Sequence, residues 1–373
     1  DLHSLRRRQR QMCIRDSPYA PVQNAVIAGK KIYFWRKKMK KSKFKLFAAL
    51  LLAAAMTVLS LSGAAPVLAD ETAAILANAA KSPAVHTAPE GYDQNDFNKV
   101  RTFLEQTDSN GIRNGEKLNP DGYDPDDPES WGALFVDEWG FEHEAYFDWE
   151  EVDGINRMFA INLTYIRDFA GTFDMSGLDA LSTLDVDGGN FTTADLSNCY
   201  EMTHCYFANS TLSSVNFFNC ANVTELYLQD NELTEVLNLG DCTSLLFLDI
   251  LMNNDLEEID LSGCERIIEH LDFSQTKVSD INETEMFALC EFGCESSGIT
   301  ELDLRNCNYL NYVNCNFCDM DFLYLPELPN NLAVNCMETG LTELNYENCG
   351  GIYDLSISGN PGLTGKLNLA SNP

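Results

Sequence analysis

The chain has 373 residues, with 25 Lys+Arg against 57 Asp+Glu and a formal charge of −32. Its length and 45% hydrophobic content allow a sizeable core. So acidic a surface repels nucleic acid and anionic membranes, and would attract cations, basic peptides or cationic glycans.

The N-terminus divides into segments of different origin. Arg7 to Ser17, RRQRQMCIRDS, reads back into codons as a transposase adapter used to prepare sequencing libraries, and Asp1-Leu2-His3 fits the flow-cell end of the same piece. Residues 1–17 are therefore expected to be translated adapter. Phe34 to Lys38 can encode a ribosome-binding site just before Met39, which makes 18–38 an untranslated leader. From Met39 the pattern is that of a secretory signal: four lysines (Lys40, Lys41, Lys43, Lys45), the apolar run Leu46 to Leu61, then Pro66-Val67-Leu68-Ala69 ahead of Asp70. The expectation is export through a signal peptide over 39–69, and any membrane contact is confined to that cleaved segment. Cleavage leaves 11 Lys+Arg and 55 Asp+Glu in the last 304 residues, a formal charge of −44.

Residues 70–90 are rich in alanine, then polar, and read as a flexible linker. Asn95 to Gln106 places Phe97, Val100, Phe103 and Leu104 on one helical face, with Asn95 or Asp96 as N-cap. A turn-rich acidic loop, Leu118 to Gly132, and the aromatics Trp139, Phe141, Tyr146 and Trp149 follow. Together they make 91–173 an N-terminal cap of the kind a solenoid needs over its first apolar edge.

From residue 174 to 373 one sentence recurs about nine times: L-x-x-L-x-L-x-x-[N/C/T]-x-L. Val223-x-x-Leu226-x-Leu228-x-x-Asn231-x-Leu233 is a clean copy. The first apolar position falls at Leu181, Met202, Val223, Leu245, Ile268, Phe287, Leu310, Asn331 and Ile352, with steps of 21, 21, 22, 23, 19, 23, 21 and 21. A period of 21–22 residues predicts a β-solenoid whose turns stack to bury what one turn cannot. The pattern is broken over Lys277 to Glu285 and interrupted by prolines over Pro326 to Asn331, where bends are expected. The sequence stops midway through a repeat, which leaves room for more repeats or another domain beyond Pro373.

Cysteine follows the same period. Cys199, Cys220, Cys242, Cys264, Cys307 and Cys349 share one phase, and Cys205, Cys290, Cys315 and Cys336 take strand positions. There the residue serves as a small buried hydrophobe stacked turn upon turn, and parallel side-chain vectors make a disulfide dihedral awkward. Free thiols are the expectation. Cys290/Cys294 and Cys315/Cys318 lack partnered histidines, so no metal site is expected, and no cofactor. Asp185 to Asn190 and Asp121 to Asp127 look like calcium loops, but neither has the closing glutamate geometry.

These motifs resemble a known family. Copies such as ITELDLRNC (Ile299 to Cys307) and LEEIDLSGC (Leu256 to Cys264), with the Asn95-Asp96-Phe97 helix start and the YDPDDPESWG loop, are similar to the cysteine-bearing leucine-rich-repeat proteins of Gram-positive gut anaerobes. The resemblance covers Tyr92 to Pro373. It implies a parallel sheet on the concave side and surface-exposed ligand binding or adhesion, without naming a ligand.

Unlisted positions of L-x-x-L-x-L point outward. In one outward column Asp249, Asp272 and Glu291 are expected on successive rungs, a carboxylate ladder flanked by Tyr206, Tyr227, Phe247, His270 and Tyr312. Aromatics beside carboxylates predict a patch for a protein or glycan ligand, with a basic one favoured by the charge. His204 and His270 have no serine or cysteine nucleophile placed beside them, so catalysis is not expected. The reading is an exported, non-catalytic binding or adhesion module at the bacterial surface. Its rival is the targeting arm of a secreted enzyme whose catalytic domain follows Pro373.

Overall fold

A strand whose residues alternate between apolar and polar must present one face to a core. In the computed structural model, which describes residues 86–136, 142–164, 169–327, 332–345 and 351–364, that alternation governs each turn. All of these belong to the compact unit spanning 86–373. The adapter, leader and signal readings, most of the linker and Cys349 lie outside the described residues.

A long sheet of twelve strands runs through the molecule. Its strands are β1 (Ala133–Val136), β2 (Glu142–Val152), β3 (Ile155–Leu163), β5 (Thr183–Asp187), β7 (His204–Ala208), β9 (Glu225–Tyr227), β11 (Phe247–Asp249), β13 (His270–Asp272), β14 (Glu291–Gly293), β16 (Tyr312–Asn314), β18 (Leu332–Asn335) and β20 (Ile352–Ser356). The first three pair antiparallel, and from β3 onward every pairing is parallel. Most turns also carry a second short strand; the turn after β13, where the sequence pattern breaks over Lys277 to Glu285, has a 3-10 turn at Glu283–Glu285 in its place. The second strands form the ladders β4 (Ala170–Asp174), β6 (Asn190–Asp195) and β8 (Ser214–Asn216); β10 (Thr234–Asn238) and β12 (Asp255–Asp260); and β15 (Glu301–Asp303), β17 (Phe322–Tyr324) and β19 (Glu343–Asn345). The result is a parallel β-solenoid of about nine turns with the leucine-rich-repeat pattern.

The inward column of the long sheet reads Leu184, Cys205, Leu226, Leu248, Leu271, Phe292, Val313 and Val334, all buried. Burying one such Leu contributes about 1.5–3 kcal/mol. The motif's [N/C/T] position closes several turns through its side chain. Asn253 Nδ2 donates to the carbonyls of Leu228 (3.0 Å) and Ile250 (2.8 Å), while its Oδ1 accepts from Leu233 N (3.2 Å). Asn231 does the same one turn earlier, and Thr276 and Cys318 take the position with one donor each.

One register differs from the sequence reading. Both Phe287-x-x-Cys290-x-Phe292 and Leu289-x-x-Phe292-x-Cys294 satisfy the template. The structure takes the second, because His270 pairs with Glu291 and Asp272 with Gly293. Leu289 is fully buried, whereas Phe287 is 39% exposed. The steps around it become 21 and 21 instead of 19 and 23. Core burial overrides here: the two-residue slip would expose Leu289 and Cys294. Cys294, not Cys290, therefore joins Cys315 and Cys336 in one column.

The N-terminal segment begins with α1 (Gln94–Leu104), whose apolar face buries Phe97, Val100, Phe103 and Leu104. Its N-cap is Asp93, which accepts from Asn95 N and Asp96 N, rather than Asn95 or Asp96. Asp96 is spent elsewhere. Fully buried, it accepts from Arg157 Nε (2.8 Å) and Met158 N (3.1 Å) of β3 and so ties the helix to the sheet. A short α2 (Asn114–Leu118) follows, and buried Asn114 donates to the carbonyls of Phe103 and Ala170. The acidic loop folds around Trp131, whose indole N–H donates to Asp124 O at 2.9 Å. Phe103 meets Phe147, Phe169, Phe173 and Phe191, which carries the aromatic core from the helix into the first turns.

Candidate functional site

Parallel pairing places equivalent outward side chains of successive turns side by side, about 4.8 Å apart. One outward column reads Thr183, His204, Glu225, Phe247, His270, Glu291 and Tyr312; the other reads Asp185, Tyr206, Tyr227, Asp249, Asp272, Gly293 and Asn314. Their partly exposed members alternate with buried ones along each strand.

The aromatic members form one run. Tyr206 and Tyr227 lie 6.0 Å apart between ring centroids, Tyr227 and Phe247 4.7 Å, and Phe247 and His270 3.9 Å with planes only 4° apart. Phe247 thus stands between Tyr227 on β9 and His270 on β13. Tyr312 is brought near but outside the run, because Glu291 on β14 intervenes; it is 37% exposed, and its hydroxyl accepts from Asn335 Nδ2 at 3.4 Å.

The carboxylates are arranged differently from the expected ladder. Asp249 and Asp272 do stack on adjacent strands, but Gly293 takes the third place. A side chain at Gly293 would collide with Asp272, since a Cβ there would lie 2.6 Å from the Asp272 carboxyl carbon. Glu291 belongs to the other column, where its Oε2 lies 3.0 Å from His270 Nδ1. Asp249 and Asp272 each turn one oxygen back onto the backbone, accepting from Leu251 N (3.3 Å) and Ser274 N (2.9 Å). Asn314 does the same with Asn316 N at 3.3 Å, so the turn needs an oxygen there but not a charge.

A second cluster was not singled out from the sequence. His204 Nε2 lies 3.2 Å from Asp185 Oδ1, and its Nδ1 lies 3.7 Å from Glu225 Oε2. Hydrogen bonding to Asp185, then to Glu225, pushes its pKa up to about 9 against the opposing effect of burial. The raised value favours the charged imidazole at neutral pH, ion-paired closely with Asp185 and at longer range with Glu225. Tyr227 Oη adds a bond to Glu225 Oε2 at 3.3 Å. His204 on β7 and Glu225 on β9 share one column, whereas Asp185 on β5 belongs to the other. Reading both columns diagonally, rather than one at a time, would have found them.

The cysteines lie on the inner side. The eleven among the described residues are buried and carry no disulfide. Burial pushes the thiols of Cys220 and Cys264 up to about 11 and about 12, and that of Cys205, next to His204 in sequence, well above its ordinary value. Cys318 is the exception, lowered to about 7 by its hydrogen bond with Cys294.

Fold and face together define a leucine-rich-repeat solenoid with an aromatic and acidic strip on its long sheet. No family model matches the chain, and no curated protein matches it in sequence. Among solved structures it is similar to the functional domain of InlJ from Listeria monocytogenes, which includes a cysteine ladder. The TM-score is 0.44 at 19% identity, over 58% of this chain and 56% of that one. It is also similar to TLR13 in its complex with ssRNA13, with a TM-score of 0.35 at 16% identity, over 54% of this chain and 40% of that one. The chain thus spans about half the length of these two proteins or less.

Proposed function

We propose that this chain is an exported, non-catalytic binding module that holds a protein or glycan ligand on the outward columns of its long sheet, at the bacterial surface and in the service of adhesion. The observation that carries the reading is the aromatic run from Tyr206 to His270, held partly exposed on a sheet whose other members are acidic. Aromatic side chains set rigidly at the centre of a face are the residues that anchor interfaces. Export rests on the signal pattern of Met39 to Ala69.

The test is capture of the full chain on arrays of glycans and extracellular-matrix proteins, beside a Tyr227→Ala/Phe247→Ala double variant. Any ligand retained by the wild type should bind at least about tenfold more weakly to the variant, about 1.4 kcal/mol. A circular-dichroism melt that overlays the wild type confirms that the variant is folded. Ligands captured equally by both proteins would remove this face from the reading.

A further inference from the structure

The ring geometry bears on what kind of molecule the face can take. A sugar binds aromatic residues by laying its ring against an open aromatic face, as a cation does in a cation–π contact. Here the faces are already used. Phe247 has His270 stacked on it at 3.9 Å and Tyr227 against it at 4.7 Å, on the strands either side. The run therefore offers ring edges to solvent, an apolar ridge rather than a platform.

Charge supplies the second constraint. Asp185, Glu225, Asp249, Asp272 and Glu291 flank the ridge over β5 to β14, and His204 offsets one of these charges. From β5 to β20 neither outward column contains a single lysine or arginine among the described residues. Arg266, Lys277 and Arg305 of these turns lie off the long sheet, paired with Glu285, Asp255 and Asp303. The chain carries aspartate at 249 and 272 where asparagine would serve the turn equally, as Asn314 demonstrates.

We infer that the ligand of this face is a basic polypeptide segment in extended form, its Lys or Arg head groups between the flanking carboxylates and their aliphatic stems along the ring edges. The inference rests on the binding-face reading above and narrows it to one class of partner. Long cationic side chains suit a ridge of edges because their stems bury against apolar surface while the heads stay with the charges. The six strands from β5 to β14 span roughly 24 Å, the length of about seven extended residues.

The experiment titrates the full chain with fluorescein-labelled deca-lysine, and in parallel with labelled cellohexaose and chitohexaose. Two variants of equal charge are compared. One carries Glu225→Gln, Asp249→Asn, Asp272→Asn and Glu291→Gln; the other carries Glu232→Gln, Glu257→Gln, Glu258→Gln and Glu301→Gln, all exposed positions off the long sheet. The expected result is peptide binding that the first variant weakens about tenfold or more and the second less than about twofold, with strong salt dependence in the wild type. Equal weakening by both variants would show a general response to net charge and overturn the inference, as would no peptide binding at all. Hexasaccharide binding that Phe247→Ala abolishes, without peptide binding, would overturn the basic-peptide class yet leave the binding face standing. A probe bound equally by wild type, the sheet variant and Phe247→Ala would sink the face itself.

Discussion

In the N-terminal segment one buried carboxylate, Asp96, joins α1 to β3 through the Arg157 side chain and the Met158 amide, with the N-cap Asp93 at 3.9 Å from the same guanidinium. In the repeats the corresponding polar task falls to Asn231 and Asn253, which do the same thing on neighbouring turns. The first arrangement is singular and long-range; the second is periodic and local. A solenoid's energy is a sum over turns and their interfaces, so the loss of one periodic residue is confined, whereas the loss of the latch uncovers the first turns.

The largest expected effect is therefore Asp96→Ala. Removing one partner of a buried, hydrogen-bonded ion pair typically costs about 3–5 kcal/mol, and urea unfolding should register it; a loss under about 1 kcal/mol would mean that the latch is as replaceable as a repeat residue. Next comes Asn253→Ala, which leaves the Leu228 and Ile250 carbonyls and the Leu233 amide without that partner, at about 1–3 kcal/mol. Hydrogen exchange should show Leu233 and its turn opening faster while the amides of α1 keep their protection. Exchange that accelerates evenly along the chain would contradict the confinement.

The smallest effect concerns His204. Its pKa is raised in the folded state, from about 6.5 to about 9, so its stabilisation is complete below about pH 6.5 and is lost as pH rises through about 9. With the side chain about a third exposed, screening reduces this to about 1–2 kcal/mol. Wild type should lose that much more stability than His204→Gln between about pH 6 and pH 10. Parallel pH profiles for the two proteins would show that the Asp185–His204–Glu225 cluster contributes nothing to folding.

How far these arrangements could be read in advance follows the same division. The solenoid was legible because side-chain alternation and the 21-residue turn are both local and repeated. The helix with Phe97, Val100, Phe103 and Leu104 on one face was legible for the same reason. Asp96 was not, since its partner lies 61 residues away and nothing local distinguishes it from an N-cap. Of the candidate strip, the composition of the columns was readable, and Tyr206, Tyr227, Phe247 and His270 do come together. The place of Glu291 was not readable, because cysteine counts as apolar and two frames fit; only the burial of Leu289 separates them. The His204 cluster runs across columns, and that adjacency belongs to the folded sheet.

The buried cysteines turn the molecule into its own recorder of unfolding. With most of their thiols held protonated in the core, an alkylating reagent has little to attack while the turns stay stacked. Every cysteine-bearing turn that opens exposes its thiol to labelling, and peptide mapping of the adducts then gives the order in which those turns let go.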